Sequence, residues 1–563
     1  MFEITKPFLR SGILALLTLI LSCKNKTAGP SQQLINEMDL KRGELIACGP
    51  GDMKLGTVAF EFTGSENIKA DFNLAIKLLH SFEYDEAEKV FAKVIDKEPE
   101  CAMAYWGVAM SNFHALWTPP SEPELKKGSR AIKIAQSITQ KTGRETDYIN
   151  AIASFYTDWD KVDHRTRCNN FEKSMENIYT KYPNDKEAAV FYPLALNAAA
   201  DPADKTFIKQ KKAGSILISL YPGEPEHPGI VHYIIHTYDS PELAQLALEA
   251  ARKYASVAPS SAHALHMPSH IFTRLGLWDE DIRSNLASVS SAQCYAKAAG
   301  IKGHWDEEFH GIDYLVYAYI QKGENDKAKD QLEYLETINE INPANFKVAY
   351  AFAASPSRYL LENKMWKEAA GLQAHQANIL WQNFPWQKAI IHFTRLLGSV
   401  NTNDINKAKA ELKELNVLRD KLVELKDAYK ANQVQIQIKT GEAWIHFKEG
   451  HTSEALMLMN LAADMEDKTE KHPVTPGEVI PAREFLADLL LQMNNPGKAL
   501  VAYESDVVKH PNRFNAMYGA GLSAEISGNH EKAKRYYTQL LNITGPNSNR
   551  KELAAIKTYL NKN

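Results

Sequence analysis

The sequence predicts an all-α protein, an α-solenoid of helical hairpins stacked side by side. The first observation behind this prediction is the spacing of apolar residues, which recur at i, i+3 and i+4 in stretches such as 102–117 and 144–156. The second is an alanine followed four positions later by an aromatic residue and then by a proline, a pattern present near both ends of the chain. Hydrophobic residues form 44% of the chain and charged residues 24%, as in ordinary soluble folded proteins.

Residues 1–22 predict a secretory signal peptide. Lys6 and Arg10 precede the apolar run 13–21, which is too short to remain in a bilayer as a spanning helix. The motif ILSC that ends at Cys23 resembles the lipobox of bacterial lipoproteins, whose cysteine is lipidated and becomes the first mature residue. We therefore expect a lipidated Cys23 and a tether or lead-in over 23–65. An ordinary signal peptide with a chance cysteine is the alternative.

Lipidation at Cys23 predicts a location in the bacterial cell envelope. The protein would be an outer-membrane lipoprotein that faces the periplasm or the cell exterior and has the membrane as a partner. Such a compartment is oxidising and permits disulfides. The other cysteines, Cys48, Cys101, Cys168 and Cys294, are widely spaced and form no CxxC pair. We expect at most one disulfide, between Cys48 and Cys101, and buried free thiols are the equal alternative.

The helical hairpins begin near residue 66. In the first of them, Ala87 is followed by Phe91 and Pro99. This arrangement resembles the tetratricopeptide repeat, in which a small residue lies where two antiparallel helices cross and a proline closes the second helix. The hairpin is therefore predicted to be one unit of a repeat array.

The same pattern recurs near the C-terminus at Ala499, Tyr503 and Pro511, and Ala533 follows Ala499 at the tetratricopeptide period of about 34 residues. Each unit has an apolar face that only a neighbouring unit can cover, so we expect a continuous stack. Weaker units share the alanine position: Ala244, Asp281 in place of alanine, Ala328, Ala369, Ala408 and Ala455. The expected divisions are N-terminal helical repeats over 66–226, histidine-rich repeats over 227–345 and C-terminal tetratricopeptide repeats over 346–563.

Several longer phrases resemble one bacterial family of secreted or lipidated long tetratricopeptide proteins. They are AYWGVAMSNFHALW, EHPGIVHYIIH, HMPSHIFTRLG, KHPVTPGEVIPAREFL and PNRFNAMYGA. The resemblance extends over nearly the whole mature chain. It implies the helical solenoid and brings no established activity with it.

Histidine is concentrated in the middle repeats. Eight of the chain's 18 histidines fall between positions 227 and 310, where even scatter would place about three. Residues four apart share one helix face, with Cβ atoms about 5–6 Å apart, and are close enough to bind one metal ion. Two such pairs occur, His232 with His236 and His266 with His270. Neither pair is HExxH, so a zinc protease is not indicated.

The repeat register predicts where these side chains point. It places His263, His266 and His270 at the groove positions of one unit and His310, Asp313 and Tyr317 at those of the next. Neighbouring units stack in parallel, so we expect His263 near His310 and His266 near Asp313. Glu484 occupies a groove position of a C-terminal unit.

Three interpretations of the histidines stay open. The leading hypothesis is a non-enzymatic scaffold whose concave groove binds a protein, a peptide or a small ligand. The alternative is a metal-dependent protein or enzyme holding a divalent ion such as zinc or copper, and ordinary packing is the third. The predicted groove residues are His263, His266, His270, His310, Asp313, Tyr317 and Glu484. The candidate metal ligands are His232, His236, His263, His266, His270, His310 and Asp313.

Charge and motifs argue against other classes. The net charge is −4 and no long basic run occurs, so we expect no nucleic-acid partner. The chain has no P-loop, dinucleotide-binding fingerprint or GxSxG serine motif. No motif assigns a reaction or a certain cofactor.

Overall fold

The computed structural model describes residues 1–3, 29–50, 53–116, 119–201, 204–546 and 548–562. The apolar run 13–21 and Cys23, on which the signal peptide and the lipidation were predicted, lie outside these residues. None of the helices in the described part of the chain is both long and apolar enough to cross a membrane.

The prediction of an all-α solenoid is confirmed. A short helix, α1 (Gln32–Asn36), lies in the lead-in, and helices then follow one another through the N-terminal repeats. These are α2 (Glu66–His80), α3 (Tyr84–Lys97), α4 (Ala102–Ser111), α5 (Glu122–Ser137), α6 (Gly143–Tyr156), α7 (His164–Lys181), α8 (Lys186–Ala198) and α9 (Ile208–Leu220).

The histidine-rich middle repeats contain shorter and less regular helices. A 3-10 turn at Tyr221–Gly223 precedes them, and another at Ala244–Ala247 interrupts them. Two short parallel strands, β1 (His304–Trp305) and β2 (Ile341–Asn342), pair beside them. The helices are α10 (Pro228–Thr237), α11 (Leu248–Val257), α12 (Ala262–His266), α13 (Pro268–Leu275), α14 (Trp278–Ala298), α15 (Asp306–Gln321) and α16 (Asn325–Glu336).

The C-terminal repeats contain helices of 5 to 21 residues and one 3-10 turn at Trp381–Asn383. Their helices pack on the next helix and on the next but one, which is the contact pattern of stacked hairpins. They are α17 (Phe346–Glu362), α18 (Trp366–Ala370), α19 (Pro385–Asn401), α20 (Ile405–Glu424), α21 (Ala428–Lys448), α22 (Thr452–Asp467), α23 (Ala482–Gln492), α24 (Pro496–Lys509), α25 (Phe514–Ile526), α26 (His530–Ile543) and α27 (Glu552–Lys562).

The repeat pattern has a packing cause. Ala87, Ala499 and Ala533 are completely buried, and the aromatic residue of each unit covers a glycine of a neighbouring helix. A Cβ atom on Gly107 would lie 2.3 Å from the Phe91 ring, and one on Gly519 would lie 2.2 Å from the Tyr503 ring. The small residue and the aromatic residue therefore set how closely successive helices approach.

The C-terminal repeats fold back onto the middle repeats. The indole N–H of Trp278 donates to the carbonyl of Asn512 at 2.9 Å, and Gly276 packs against the same turn. Lys471 contacts Asp239 at 3.3 Å. Segments more than 200 positions apart in sequence therefore enclose the histidine-rich helices, which the repeat register alone does not predict.

The lead-in is packed along the repeats and is tied to them by a disulfide. Cys48 is bonded to Cys294 on α14, while Cys101 is a buried free thiol, so the expected pairing of Cys48 with Cys101 was wrong. The reason is the path of the lead-in, which crosses α11 and α14 at this point. The backbone of Gly49 approaches Pro259 so closely that a Cβ atom would lie 1.8 Å from its carbonyl oxygen.

Candidate metal centre

Six histidines from four neighbouring helices meet inside the middle repeats. Pro268 stands at the first position of α13. Proline is tolerated there because the N–H that it lacks would have no partner within the helix. The backbone path of α12 continues into α13, so His266 and His270 lie one turn apart. The six residues are His232 and His236 of α10, His263 and His266 of α12, His270 of α13 and His310 of α15.

His232, His236 and His263 form the group that we call the first trio. The Nε2 atom of His232 lies 2.9 Å from Nε2 of His236 and 3.1 Å from Nε2 of His263. One nitrogen of each ring lies within 4.8 Å of the others. His232 is completely buried, and the other two are half-buried.

His266, His270 and His310 form the second trio, whose ligand nitrogens also lie within 4.8 Å of one another. Nε2 of His266 is 3.1 Å from Nε2 of His270, and the ring centres of His266 and His310 are 4.1 Å apart. All three residues are buried. The trios are adjacent, because the ring centres of His236 and His270 are 6.5 Å apart.

Hydrogen bonds on the other ring nitrogen orient three of these histidines. His232 donates from Nδ1 to the carbonyl of His80 at 2.6 Å, and His270 donates from Nδ1 to the carboxylate of Asp239 at 2.9 Å. His266 contacts the side-chain oxygen of Asn285 through Nδ1 at 2.6 Å. The amide nitrogen of Asn285 donates to the carbonyl of Asp281 at 3.0 Å, so its oxygen faces His266 as an acceptor.

These bonds place the proton of each neutral ring on Nδ1 and leave a lone pair on Nε2. In the second trio the lone pairs of His266 and His270 then face each other at 3.1 Å. Burial also lowers the pKa of His232 to about 3 and that of His266 well below its usual range. A bound cation would resolve this repulsion, since four nitrogens about 2.0–2.1 Å from a tetrahedral zinc ion lie about 3.3 Å apart.

In a third buried group, His80, Glu187 and His227, the side chains form hydrogen bonds with one another. Glu187 bridges the two imidazoles, at 2.9 Å from Nε2 of His80 and 3.1 Å from Nε2 of His227. Nδ1 of His227 accepts the backbone N–H of Ile230 at 3.3 Å as the helix cap, so the ring proton is on Nε2 and points at Glu187. A protonated Nε2 cannot ligate a metal, and this triad is a hydrogen-bonded network of the fold.

Asp313, Tyr317 and Glu484 contact arginines and belong to neither trio. Asp313 pairs with Arg358, and Glu484 accepts from Arg513 at 3.0 Å. The Tyr317 hydroxyl lies 3.1 Å from the same Arg513. Asp313 pairs with Arg358, and it belongs to none of the possible metal-binding groups among the described residues. Asp313, Arg358, Glu362, Glu484 and Arg513 are called the ion-pair cluster below.

The repeat register predicts His263 near His310 and His266 near Asp313. In the structure the ring centres of His310 and His266 are 4.1 Å apart, and Asp313 pairs with Arg358. The histidines also lie inside the molecule, because the C-terminal repeats cover the surface that the repeat register assigned to an open groove.

Sequence reasoning missed the orienting residues. Asp239 follows His236 by three positions, and that spacing on the histidine-rich stretch was a usable signal. Asn285 lies on the next helix, α14, and the carbonyl of His80 comes from the distant α2, and no sequence spacing links either of them to the histidines.

Comparison with known proteins shows a fold likeness. No family model and no curated protein matches the chain, so the resemblance to a bacterial lipoprotein family is not confirmed. The human IFIT1 dimer with m7Gppp-AAAA is similar over 83% of this chain and 94% of its own, at 12% identity and a TM-score of 0.33. Naa15/Naa10 bound to HypK-THB is similar over 88% and 96%, at 11% identity and a TM-score of 0.24.

One of these findings corrects an expectation. Nucleic acid was excluded as a partner on net charge, yet the solved IFIT1 solenoids hold capped or triphosphate RNA such as PPP-AAAA. Net charge and the lack of a basic run therefore do not exclude nucleic acid for a helical solenoid. At 12% identity and a TM-score of 0.35 the likeness concerns the fold and assigns no ligand to this chain.

Proposed function

We propose that this protein binds transition-metal ions, with one ion in each trio and the helical repeats as the scaffold that holds the imidazoles in place. The observation that carries the proposal is the convergence of Nε2 lone pairs in the buried second trio, where the Nδ1 atoms of His266 and His270 are held by Asn285 and Asp239. Such second-shell bonds are the usual support of histidine ligands.

The ligand set favours zinc or copper. All six candidate ligands are imidazole nitrogens, and none is a thiolate. Imidazole suits both ions. Burial lowers the pKa values of His236, His263 and His310 as well, so the rings are neutral at neutral pH, as ligation requires. Three protein ligands leave a position open on each ion, which is the arrangement of ions that bind or activate a further molecule.

The test is the stoichiometry of metal uptake. Chelator-treated protein is dialysed against zinc or copper and its metal content is measured. We expect two ions per chain, and one ion per chain in His263→Gln and in His310→Gln, which alter the first and the second trio. His227→Ala should keep both ions because its Nε2 is protonated. Wild-type protein without tight metal would refute the proposal.

A surface control is available on α21 and the turn after it. His446, Glu449 and His451 also lie within ligand distance of one another, but they are half-buried or exposed. His451→Gln should remove weak adventitious binding and leave the two tight ions in place. Loss of a tight ion in this variant would assign that ion to the surface.

We also propose that the protein is held at a membrane of the bacterial envelope through a lipidated Cys23. The support is the sequence ILSC after an apolar run. Acyl chains on the cysteine would supply the membrane affinity. Cys23→Ala should shift the protein from the membrane fraction to the soluble fraction, with Cys168→Ala as the matched control. Unchanged fractionation of Cys23→Ala would contradict the proposal.

A further inference from the structure

The two trios share a helix and lie side by side. Helix α12 supplies His263 to the first trio and His266 to the second. These residues are three positions apart, a spacing that makes them neighbours on one helix face with Cβ atoms about 5–6 Å apart. Between α10 and α13, the ring centres of His236 and His270 are 6.5 Å apart. Two ions held by the trios would therefore be close neighbours.

The trios supply no charge to balance such ions. Every ligand in them is an imidazole, which ligates in its neutral form, and neither trio contains a carboxylate. Two divalent ions would bring four positive charges into a largely buried site, and a buried charge is costly unless an opposite charge pairs with it. The ions therefore need a counter-charge beyond their protein ligands.

The carboxylate next to the second trio is already engaged. Asp239 accepts from His270 and from Arg274, both at 2.9 Å. It also lies 3.3 Å from Lys471, so its charge is matched by two cations. The counter-charge for the ions is then best supplied by a molecule from solvent.

Solvent has access to the first trio. His236 and His263 are half-buried, and His236 lines a cavity of about 510 Å³ between the N-terminal and the C-terminal repeats. The second trio is buried, and none of its histidines is among the described residues that line this cavity. A molecule of a few atoms that enters the cavity therefore meets the first trio before the second.

We propose that the two ions form one dinuclear centre and share a small anionic ligand, which at rest is a hydroxide ion. The inference rests on the proposed metal binding, because the bridge occupies the positions that three protein ligands leave open on each ion. In two-metal sites, ions about 3.5–4 Å apart act together on one substrate. A water molecule that binds both ions gives up one proton to solvent, and its oxygen keeps the bonding electron pair. The resulting hydroxide supplies the counter-charge.

Copper(II) is the probe, because each ion carries one unpaired electron and two such ions that share a hydroxide bridge pair their spins. Protein with both trios intact is loaded with copper(II). Elemental analysis measures its copper content, and electron paramagnetic resonance counts its spins. We expect two copper ions per chain and fewer than half as many spins as ions. A full count of one spin per ion would overturn the shared bridge.

Single-site variants are the matched controls. His263→Gln and His310→Gln should each hold one copper ion, and that ion should give one full spin because its partner is missing. Every protein in this series also carries His451→Gln, which removes the exposed surface group as a source of uncoupled copper. Spin loss that persists in protein with a single ion would show that it has another cause and would overturn the proposal.

Azide tests whether the bridge exchanges with solvent. Azide bound to copper(II) gives a charge-transfer band, so its stoichiometry can be titrated. A shared site takes one azide for two ions, whereas independent ions take one azide each. We expect saturation at one azide per chain when both trios are filled, and any other stoichiometry would overturn the exchangeable bridge.

The proposed function and the shared bridge fail in different ways. Protein that takes up no copper refutes the proposed metal binding and the dinuclear centre with it. Protein that takes up two ions but shows one spin per ion and binds two azides keeps the metal binding and refutes the shared bridge alone.

Discussion

Two buried polar clusters lie in neighbouring parts of this molecule and differ in how their polar groups are paired. In the ion-pair cluster, Arg513 pairs with Glu362 at 2.6 Å and with Glu484 at 3.0 Å, so each of these charges faces an opposite charge. In the second trio, Nε2 of His266 faces Nε2 of His270, and both are acceptors. The first cluster is complete within the protein, whereas the proposed cation would be needed to complete the second.

The difference teaches how to separate structural from functional polar groups in a solenoid core. Burial alone does not distinguish them, since Arg358 and His232 are both completely buried. What distinguishes them is whether donors meet acceptors. By that criterion the Glu187 triad belongs with the ion-pair cluster, although it too has the composition of a metal site.

The largest effect is expected from breaking the ion-pair cluster. Arg513→Leu leaves the carboxylates of Glu362 and Glu484 buried without their cation and should destabilise the fold by about 3–5 kcal/mol. Urea unfolding measures the loss. Replacing both glutamates by leucine as well should recover much of it, because a buried ion pair is often no more stabilising than apolar residues of similar size.

Metal content provides the control for this variant. Arg513→Leu should bind the same two ions as the wild type whenever it is folded. Loss of metal in folded Arg513→Leu would mean that the two clusters are not independent.

His510 is a buried histidine whose pKa is raised, in contrast to the trio histidines, whose pKa values are lowered. Burial disfavours the charge on His510, but Asp506 at 2.8 Å and Glu478 at 3.2 Å outweigh it and raise the pKa to about 9. The folded state then holds a proton that the unfolded state releases near pH 6.5. Up to about 3 kcal/mol of stability is present below pH 6.5 and is lost as pH rises through 9.

The measurement is urea unfolding of wild type and His510→Gln from pH 6 to 10. The difference between the two curves should shrink as pH rises through that window. A difference that stays constant with pH would show that His510 is not charged in the folded protein.

Metal binding should stabilise the fold through the trios and not through the ion-pair cluster. At free metal about one hundred times the dissociation constant, each occupied site adds about 2.7 kcal/mol. Thermal unfolding with and without zinc should therefore show a rise that is smaller in His263→Gln and in His310→Gln. An equal rise in both variants and in the wild type would place the ions elsewhere.

Most of the fold was predictable because it follows from local patterns. Ala87 with Phe91 and Ala499 with Tyr503 fix helix crossings within a few residues of each other in sequence, so short-range spacing is enough. The return of the C-terminal repeats was not predictable, because it depends on contacts such as Trp278 with Asn512 between distant segments. The bond between Cys48 and Cys294 was missed for the same reason.

The site was predictable in part. The i, i+4 spacing brought His232 together with His236 and His266 with His270, as the helical period requires. The repeat register also placed Asp313 among them, and in the structure Arg358 pairs with that carboxylate. Tertiary packing decides which buried polar groups pair with each other. The repeat pattern in the sequence carries no information about this pairing.

The smallest effect is expected from a residue that orients a ligand without touching the ion. Asn285→Ala removes the acceptor that holds the Nδ1 proton of His266, so the ring loses its fixed tautomer and orientation. Loss of such a bond typically weakens metal binding 10–100-fold, or about 1.4–2.7 kcal/mol. Competition with a chromogenic chelator measures both sites at once, and the first trio serves as the internal control because His232 is oriented by the carbonyl of His80 instead. Weakening confined to one of the two ions supports the tautomer argument. Equal weakening of both ions, or of neither, would show that Asn285 does not act through His266.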